Sequence, residues 1–572
     1  MKFPERTVTA MPAYWPENIP RHLEYPTVGV GQLLTAACRL HGDRVAVEDG
    51  DLRMTYAQLW DEATSVAAAL VADGVRPGDV VLVHLPNTVW FVVTYLGVQL
   101  AGAVVSPVSP LRQVAGLRDQ ALEVDAVLAF SHPSHVGALV EAAAGTGLRR
   151  IVVVPGSAAA PAESASVGDS VIGFAEWTVK QPREFEPVVV DRDALAHLVF
   201  TGGTTGVSKG VRTLQRNVVA QITQALAWRM GSLITVDKNG RLQFTQYRTD
   251  GALAIGETVS LIVGPLYHTQ SLLTMCNLIC AGASIVFPGR FSPESVLRLI
   301  EEKGVTYING SPSMWHSLLS CPDIRTRDLS SLRALSSGAA PLDHETLTTM
   351  KDVFPRAMLI EGYGLTEGTC LVLSVPGFHG ARHKQGSVGQ PIPDTEFEIR
   401  DADGQALGAG AQGELWLRGP QIADGYHRHP DKTAEQFAGG WLRTGDIAYA
   451  DDEGFLFISG RAKDMLVYKG YNVYPRVLEE LLTSDPNVDS AAVVGRSDPN
   501  AGQIPVAFVV PRPGRTVEPD QLLADVAGQV LPYQRVREII VVDALPTSAA
   551  GKILKNDLRA RLDAAQSNAR SQ

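Results

Sequence analysis

The sequence predicts an α/β protein with a large domain followed by a small one. Three observations predict it. The chain has 572 residues, 45% of them apolar and 19% charged, which suits more than one globular core. Strand and helix patterns alternate through the first part of the chain. From residue 462 a shorter α+β pattern of its own begins.

Taken in order, residues Tyr56–Ala72 carry apolar side chains at helical spacing. Gly78-Asp79 turns into an apolar strand over 80–85, followed by an apolar helix over 90–101 and a strand over 103–105. Further strands are expected over 126–130 and 151–154. The run 155–168, rich in Ala, Ser and Pro, reads as a surface loop rather than a domain linker. The apolar run Leu195–Phe200 comes next, then a helix over 217–230. A polar, turn-rich run over 231–257 follows, with a hairpin expected at Lys238-Asn239-Gly240-Arg241. Beyond 462 the order is helix (475–484), strands (491–495 and 506–510), helix (519–531) and strand (538–542).

Composition narrows the function. A net charge of −11 argues against nucleic acid as the main partner. Residues 80–111 contain no Asp, Glu, Lys or Arg, but Pro86-Asn87 and Pro107 divide them, so they read as buried strand, helix and strand and not as a transmembrane span. Met1-Lys2-Phe3-Pro4-Glu5-Arg6 has no apolar core and is not read as a signal peptide. The five cysteines, Cys38, Cys276, Cys280, Cys321 and Cys370, are scattered. Cys276 and Cys280 are helix-spaced, but no second pair completes a zinc site, and all five read as reduced thiols of a cytoplasmic protein.

The strongest chemical signal is Thr201-Gly202-Gly203-Thr204-Thr205-Gly206-Val207-Ser208-Lys209-Gly210, with four glycines, three threonines, one serine and one lysine. Glycines let backbone N–H groups turn toward an anion, the threonines add hydroxyl donors and Lys209 adds charge. This is the chemistry of a polyphosphate loop. Its spacing fits neither Gly-Lys-Ser/Thr P-loops nor the Gly-x-Gly-x-x-Gly dinucleotide turn.

The stretch resembles the phosphate loop of the adenylate-forming superfamily, which reads Thr-Ser-Gly-Thr-Thr-Gly-x-Pro-Lys-Gly, and the acyl-CoA synthetases within it. Further segments resemble the same family in the same order: TYAQL, GDVVLVHLPN and YLGVQLAGAVVSPV early on, and then a series of site motifs. Gly264-Pro265-Leu266-Tyr267-His268-Thr269-Gln270 implies His268 at the mouth of an acyl pocket. Gly338-Ala339-Ala340-Pro341-Leu342 implies the turn along the adenine edge. Glu361-Gly362-Tyr363-Gly364-Leu365-Thr366-Glu367 implies a Tyr363 face for adenine, a Thr366 hydroxyl for phosphate and a Glu367 carboxylate for Mg²⁺. Arg443-Thr444-Gly445-Asp446 implies an aspartate for the ribose hydroxyls. Gly460-Arg461-Ala462-Lys463-Asp464 implies a further nucleotide contact at Arg461 and a hinge at Lys463. Gly470 and Tyr471 imply a pantetheine tunnel, and Gly551-Lys552-Ile553 implies a mobile catalytic lysine.

The resemblance thus implies a domain of residues 1–461, with two mixed sheets, helices and a small β-subdomain, and a mobile α+β domain of residues 462–572. It implies an ATP-dependent carboxylic acid:CoA ligase. The acid attacks the α-phosphate of ATP to give an acyl-adenylate, and the thiol of CoA then expels AMP. ATP, Mg²⁺ and CoA are the expected cofactors, and a small carboxylic acid is the substrate. Three other readings stay open: an adenylate ligase that loads a carrier protein, a catalytically silent adenylate-binding protein, and a ligase poor at its first step. The last rests on departures from the family. Gly202 stands for a serine and Ser208 for a proline, and 231–257 has the look of an insertion that would crowd the phosphates. In that extreme a partner ligase would supply the adenylate. A homodimer is also left open.

Overall fold

The computed structural model describes residues 14–156, 170–201, 208–338, 342, 344–469, 471–547 and 553–570. Gly202, Gly203, Thr204, Thr205, Gly206, Ala339, Ala340, Gly470 and Lys552 lie outside the described residues, as do residues 1–6 and most of the expected 155–168 loop.

Among the described residues, two large sheets form the body. In one, the order is Val171–Gly173, Arg150–Val153, Leu128–Ser131, Val80–His84, Val104–Pro107, Leu195–Phe200 (β1) and Gly210–Leu214 (β2). All its neighbours run parallel except β1 and β2, an antiparallel hairpin whose connection carries the glycine-rich loop. Helix Gln215–Met230 (α1) follows β2 directly. A two-stranded hairpin comes next, Ser232–Val236 (β3) with Leu242–Gln246 (β4), then helix Thr269–Cys280 (α2). The second sheet has Tyr307–Gly310 (β5), Ala334–Ser337 (β6) and Met358–Leu365 (β7) as parallel neighbours near its middle, flanked by antiparallel strands at both edges.

Helices Val30–His41, Tyr56–Ala72, Val89–Leu100, α1 and α2 lie between the two sheets. Val81 and Val83 of the first sheet share one buried cluster with Ile262 and Ile285 of the second and with residues of all five helices. Val80 and Leu82 point the other way, into a cluster with Ala121 and Leu139. This two-residue alternation is what a strand covered on both faces requires. It also accounts for the charge-free run 80–111, which folds as strand, helix and strand. No helix among the described residues is long and apolar enough to cross a membrane.

A smaller β-layer follows, with Trp441–Ala450 (β8) pairing Gly413–Arg418 on one side and Leu456–Arg461 (β9) on the other. After β9 the chain enters a separate body. Its sheet is built on the long hairpin Val488–Asp498 with Gly502–Pro511, and its apolar clusters draw only on residues from Leu466 onward. The mixed α/β architecture expected from the sequence is therefore the observed one, with a small α+β body at the end.

The 231–257 segment forms the expected hairpin, closed by Asp237, whose carboxylate accepts the N–H groups of Asn239 (2.8 Å) and Arg241 (2.9 Å). It is fastened to the C-terminal end of α1, where it leaves the helix: the Tyr247 hydroxyl donates to the Ala227 carbonyl (2.7 Å), and Arg248 donates to the Glu17 carbonyl (2.9 Å) while covering the Phe378 ring.

Candidate active site

The site gathers at the C-terminal ends of β1, β6 and β7, where parallel strands leave their crevice. Thr201 ends β1, and its N–H donates to the Lys209 carbonyl across the neck of the glycine-rich loop (3.1 Å). The Ser208 hydroxyl donates to the Thr201 carbonyl at the same neck (2.5 Å). A proline at this position would restrict one torsion, whereas this serine ties the two ends of the loop together.

Lys209 points to Tyr426, with its ammonium 4.9 Å from the ring centroid. The Tyr426 hydroxyl in turn donates to Glu367 Oε1 (2.6 Å). Burial, and then the Glu367 carboxylate, push the Tyr426 phenol well above its ordinary range, so it stays a donor. Glu367 sits in the turn Thr366–Gly368 at the end of β7, and its carbonyl accepts the Ala423 N–H (2.9 Å). Lys209, Thr366, Glu367 and Tyr426 thereby come from three separate parts of the chain to one place.

Beside them, the Tyr363 hydroxyl donates to Asp446 Oδ2 (2.5 Å), and Arg461 Nε pairs with Asp446 Oδ1 (3.1 Å). Asp446 is only 4% exposed. Residues Asp446 and Arg461 face each other because β8 and β9 pair in that register. Tyr363, expected to present its ring to adenine, is thus also a donor to Asp446, the aspartate expected to take the ribose. Its phenol is raised far above its ordinary value, by burial first and Asp446 second. Gly364 has its own reason: a Cβ there would come 1.8 Å from the Cys370 carbonyl, so only glycine lets β7 run this close to its neighbour.

His268 caps the N-terminus of α2, its ring tilted on Tyr267 with centroids 4.7 Å apart. Two positions further on, the Gln270 side chain lies where a Cβ on Gly338 would stand 2.7 Å from Nε2. Gly338 and the N-terminal turn of α2 are therefore neighbours. Lys463 lies in the turn Ala462–Asp464 joining β9 to the small body. Tyr471 is stacked on Tyr533 (4.7 Å, 19°) and 57% exposed on that body, so it does not join the cluster around Asp446. Contacts between the bodies among the described residues include Arg512 with Glu345 (2.5 Å) and Arg476 with the Ile458 carbonyl.

Sequence reasoning missed Tyr426, which ends the stretch GELWLRGPQIADGY. It also missed Arg212, which pairs with Asp424 (3.0 Å) and ties the β2 strand to the same stretch. Among the described residues no group of three His, Cys, Asp or Glu side chains could hold a metal. Mg²⁺ is usually held by one or two carboxylates together with substrate phosphates. Glu367, with one oxygen held by Tyr426, fits such a role.

Comparison with known proteins agrees with this geometry. The AMP-binding enzyme family matches residues 34–427, and the AMP-binding enzyme C-terminal domain matches residues 477–552. The chain belongs to this family of adenylate-forming ligases and is an acid–thiol ligase. It is 34% identical to a probable CoA ligase of Humulus lupulus, covering 91% of this chain and 90% of that one. It is 32% identical to a 4-coumarate–CoA ligase of Nicotiana tabacum, covering 97% and 96%. Among solved structures, an anthranilate CoA ligase in complex with anthranoyl-AMP superposes with a TM-score of 0.83 at 25% identity, covering 95% of this chain and 99% of the other.

Proposed function

We propose that the chain joins a small aryl carboxylic acid to CoA in two steps at one site. In the first, a carboxylate oxygen attacks the α-phosphorus of ATP and pyrophosphate leaves. Two anions meet in this step, so cations must neutralise the developing charge. Lys209 lies beside the phosphate loop, and Lys552 is assigned to the carboxylate and α-phosphate by its family motif. Asp446 receives the ribose hydroxyls, Tyr363 lines the adenine and His268 stands at the acyl mouth. Glu367 would hold Mg²⁺, which supplies Lewis-acid charge stabilisation. In the second step the thiol attacks the acyl carbonyl, AMP leaves and the thiol proton passes to solvent.

The observation that carries the reading is the pair of linked clusters, Lys209–Tyr426–Glu367 for phosphate and Tyr363–Asp446–Arg461 for the nucleoside. The acid class is supported by relatives named for 4-coumarate and anthranilate. We place the domain boundary between residues 461 and 462, with Lys463 as the pivot. Rotation there would withdraw Lys552 and bring Gly470 and Tyr471 to the thiol's path. The five cysteines are unpaired, in keeping with a cytoplasmic setting.

One feature behind a weak first step loses its force, because Ser208 closes the loop neck. A full first step is expected in spite of Gly202. Acid-dependent pyrophosphate exchange and CoA thioester formation, measured on the wild type and on Gly202→Ser, test this. Exchange at ordinary ligase rates, with Gly202→Ser within about threefold of wild type, is expected. Thioester formed only from supplied adenylate, with exchange appearing in Gly202→Ser, would overturn it.

A further inference from the structure

Arg229, in the last turn of α1, has no carboxylate partner among the described residues. Its hydrogen bonds go to neutral oxygens, Nη2 to Ser374 Oγ (3.1 Å) and Nη1 to the Tyr307 hydroxyl (3.5 Å), and its Nε is buried with no acceptor among the described residues. It faces a cavity of about 20 Å³ that Thr274, Asn277 and Tyr307 also line, with Leu226, Met230 and Leu253 as apolar walls. Asn277 contributes a second orphan there, a buried Oδ1 without a partner. A half-buried cation without a counter-charge is costly in proportion to its loss of water, and two buried unsatisfied polar atoms at one cavity mark a place where a ligand group completes the bonding.

A chain of hydrogen-bonded side chains joins the lining of this cavity to the site already described. Gln270, Thr274 and Asn277 fall at i, i+4 and i+7 on one face of α2. Gln270 Nε2 donates to Asn309 Oδ1 (3.0 Å), and Asn309 Nδ2 lies 3.4 Å from Thr274 Oγ1. Gln270 borders Gly338 at the nucleotide end, and Thr274 and Asn277 border Arg229 at the other. A polar seam therefore runs from the reacting end to Arg229. At 1.5 Å per residue, seven residues of helix separate its ends by roughly 10 Å. The 231–257 segment closes the far end through Leu253.

We propose that Arg229 is a specificity residue for the acid substrate, binding a second oxygen group, with a carboxylate preferred, at the end of the acid remote from the reacting carboxyl. This rests on the ligase reading above. The cavity admits a group about the size of one water, so it takes a terminal oxygen and not a further ring. The guanidinium supplies charge-assisted donors, and the Asn277 amide can turn to present either its oxygen or its nitrogen. The competing account makes Arg229 a purely structural strut between β5 and the strand Cys370–Ser374. The two accounts differ in one respect: a strut affects all acids alike.

The test compares thioester formation from matched pairs: cinnamate, 4-hydroxycinnamate and 4-carboxycinnamate, and straight-chain mono- and dicarboxylic acids of six to ten carbons. In wild type, the acid with the remote carboxylate should exceed its unsubstituted partner in kcat/KM by about 10- to 100-fold, with the hydroxyl acid between them. Arg229→Met should erase that advantage while keeping turnover of the unsubstituted acid, and Arg229→Lys should restore part of it. Equal use of both members of every pair by wild type, or an advantage that survives Arg229→Met, would overturn the proposal. Should Arg229→Met not fold, the wild-type ratios and Arg229→Lys decide. Absence of thioester and of AMP release with every acid would instead overturn the ligase reading itself.

Discussion

Tyr426→Phe tests the geometry most directly. The substitution removes one atom, the hydroxyl that donates to Glu367 Oε1 at 2.6 Å, and keeps the ring under the Lys209 ammonium. The lost bond joins a buried donor to a charged acceptor, and such bonds contribute about 1.5–3 kcal/mol. If the bond orients Glu367 for the ATP step, that corresponds to about a 10- to 150-fold fall in adenylation. The assay is acid-dependent pyrophosphate exchange across a series of Mg²⁺ concentrations, alongside thioester formation from supplied acyl-adenylate. The expected result is slower exchange, a higher Mg²⁺ requirement and little change in the thioester step. Tyr426→Leu, which also removes the ring, should lose a further factor of about 2–5 from the cation–π contact. Exchange within twofold of wild type at every Mg²⁺ concentration would refute the coupling of Tyr426 to Glu367.

Lys552→Ala should lower adenylation by about 10²-fold or more, the scale for losing a charge-stabilising donor, and largely spare thioester formation from supplied adenylate; equal damage to both half-reactions would count against the assignment. Lys463→Pro should preserve whichever half-reaction fits the locked pose and block the other, and separate assays of the two steps would show a pivot elsewhere if both ran normally. Burial pushes the Cys38 and Cys276 thiols up to about 12, so neither should be alkylated by iodoacetamide in the native protein at pH 8, and mass spectrometry showing rapid labelling of either would contradict this.

The sequence by itself determined the local elements and the order of the chemistry. Tyr56–Ala72 is helical as its spacing requires, because a period of 3.6 is written in the residues that form it. The hairpin around Asn239-Gly240 likewise follows from its own turn residues. The glycine-rich loop and the motif order were also legible, since phosphate chemistry needs small residues and cations in one short run. What only the tertiary structure decided are the meetings of distant residues. Tyr426 lies 59 positions from Glu367 and Tyr363 lies 83 from Asp446, and their contacts depend on how β7, β8 and β9 are brought together. The place of the 231–257 hairpin was equally hidden, because two of its anchors, Glu17 and Phe378, lie far from it in the chain. Arg229 reads in the sequence as an ordinary basic residue at a helix end. Its lack of a counter-charge appears only once α1, α2 and β5 enclose it, because burial and pairing are properties of the surroundings that packing supplies.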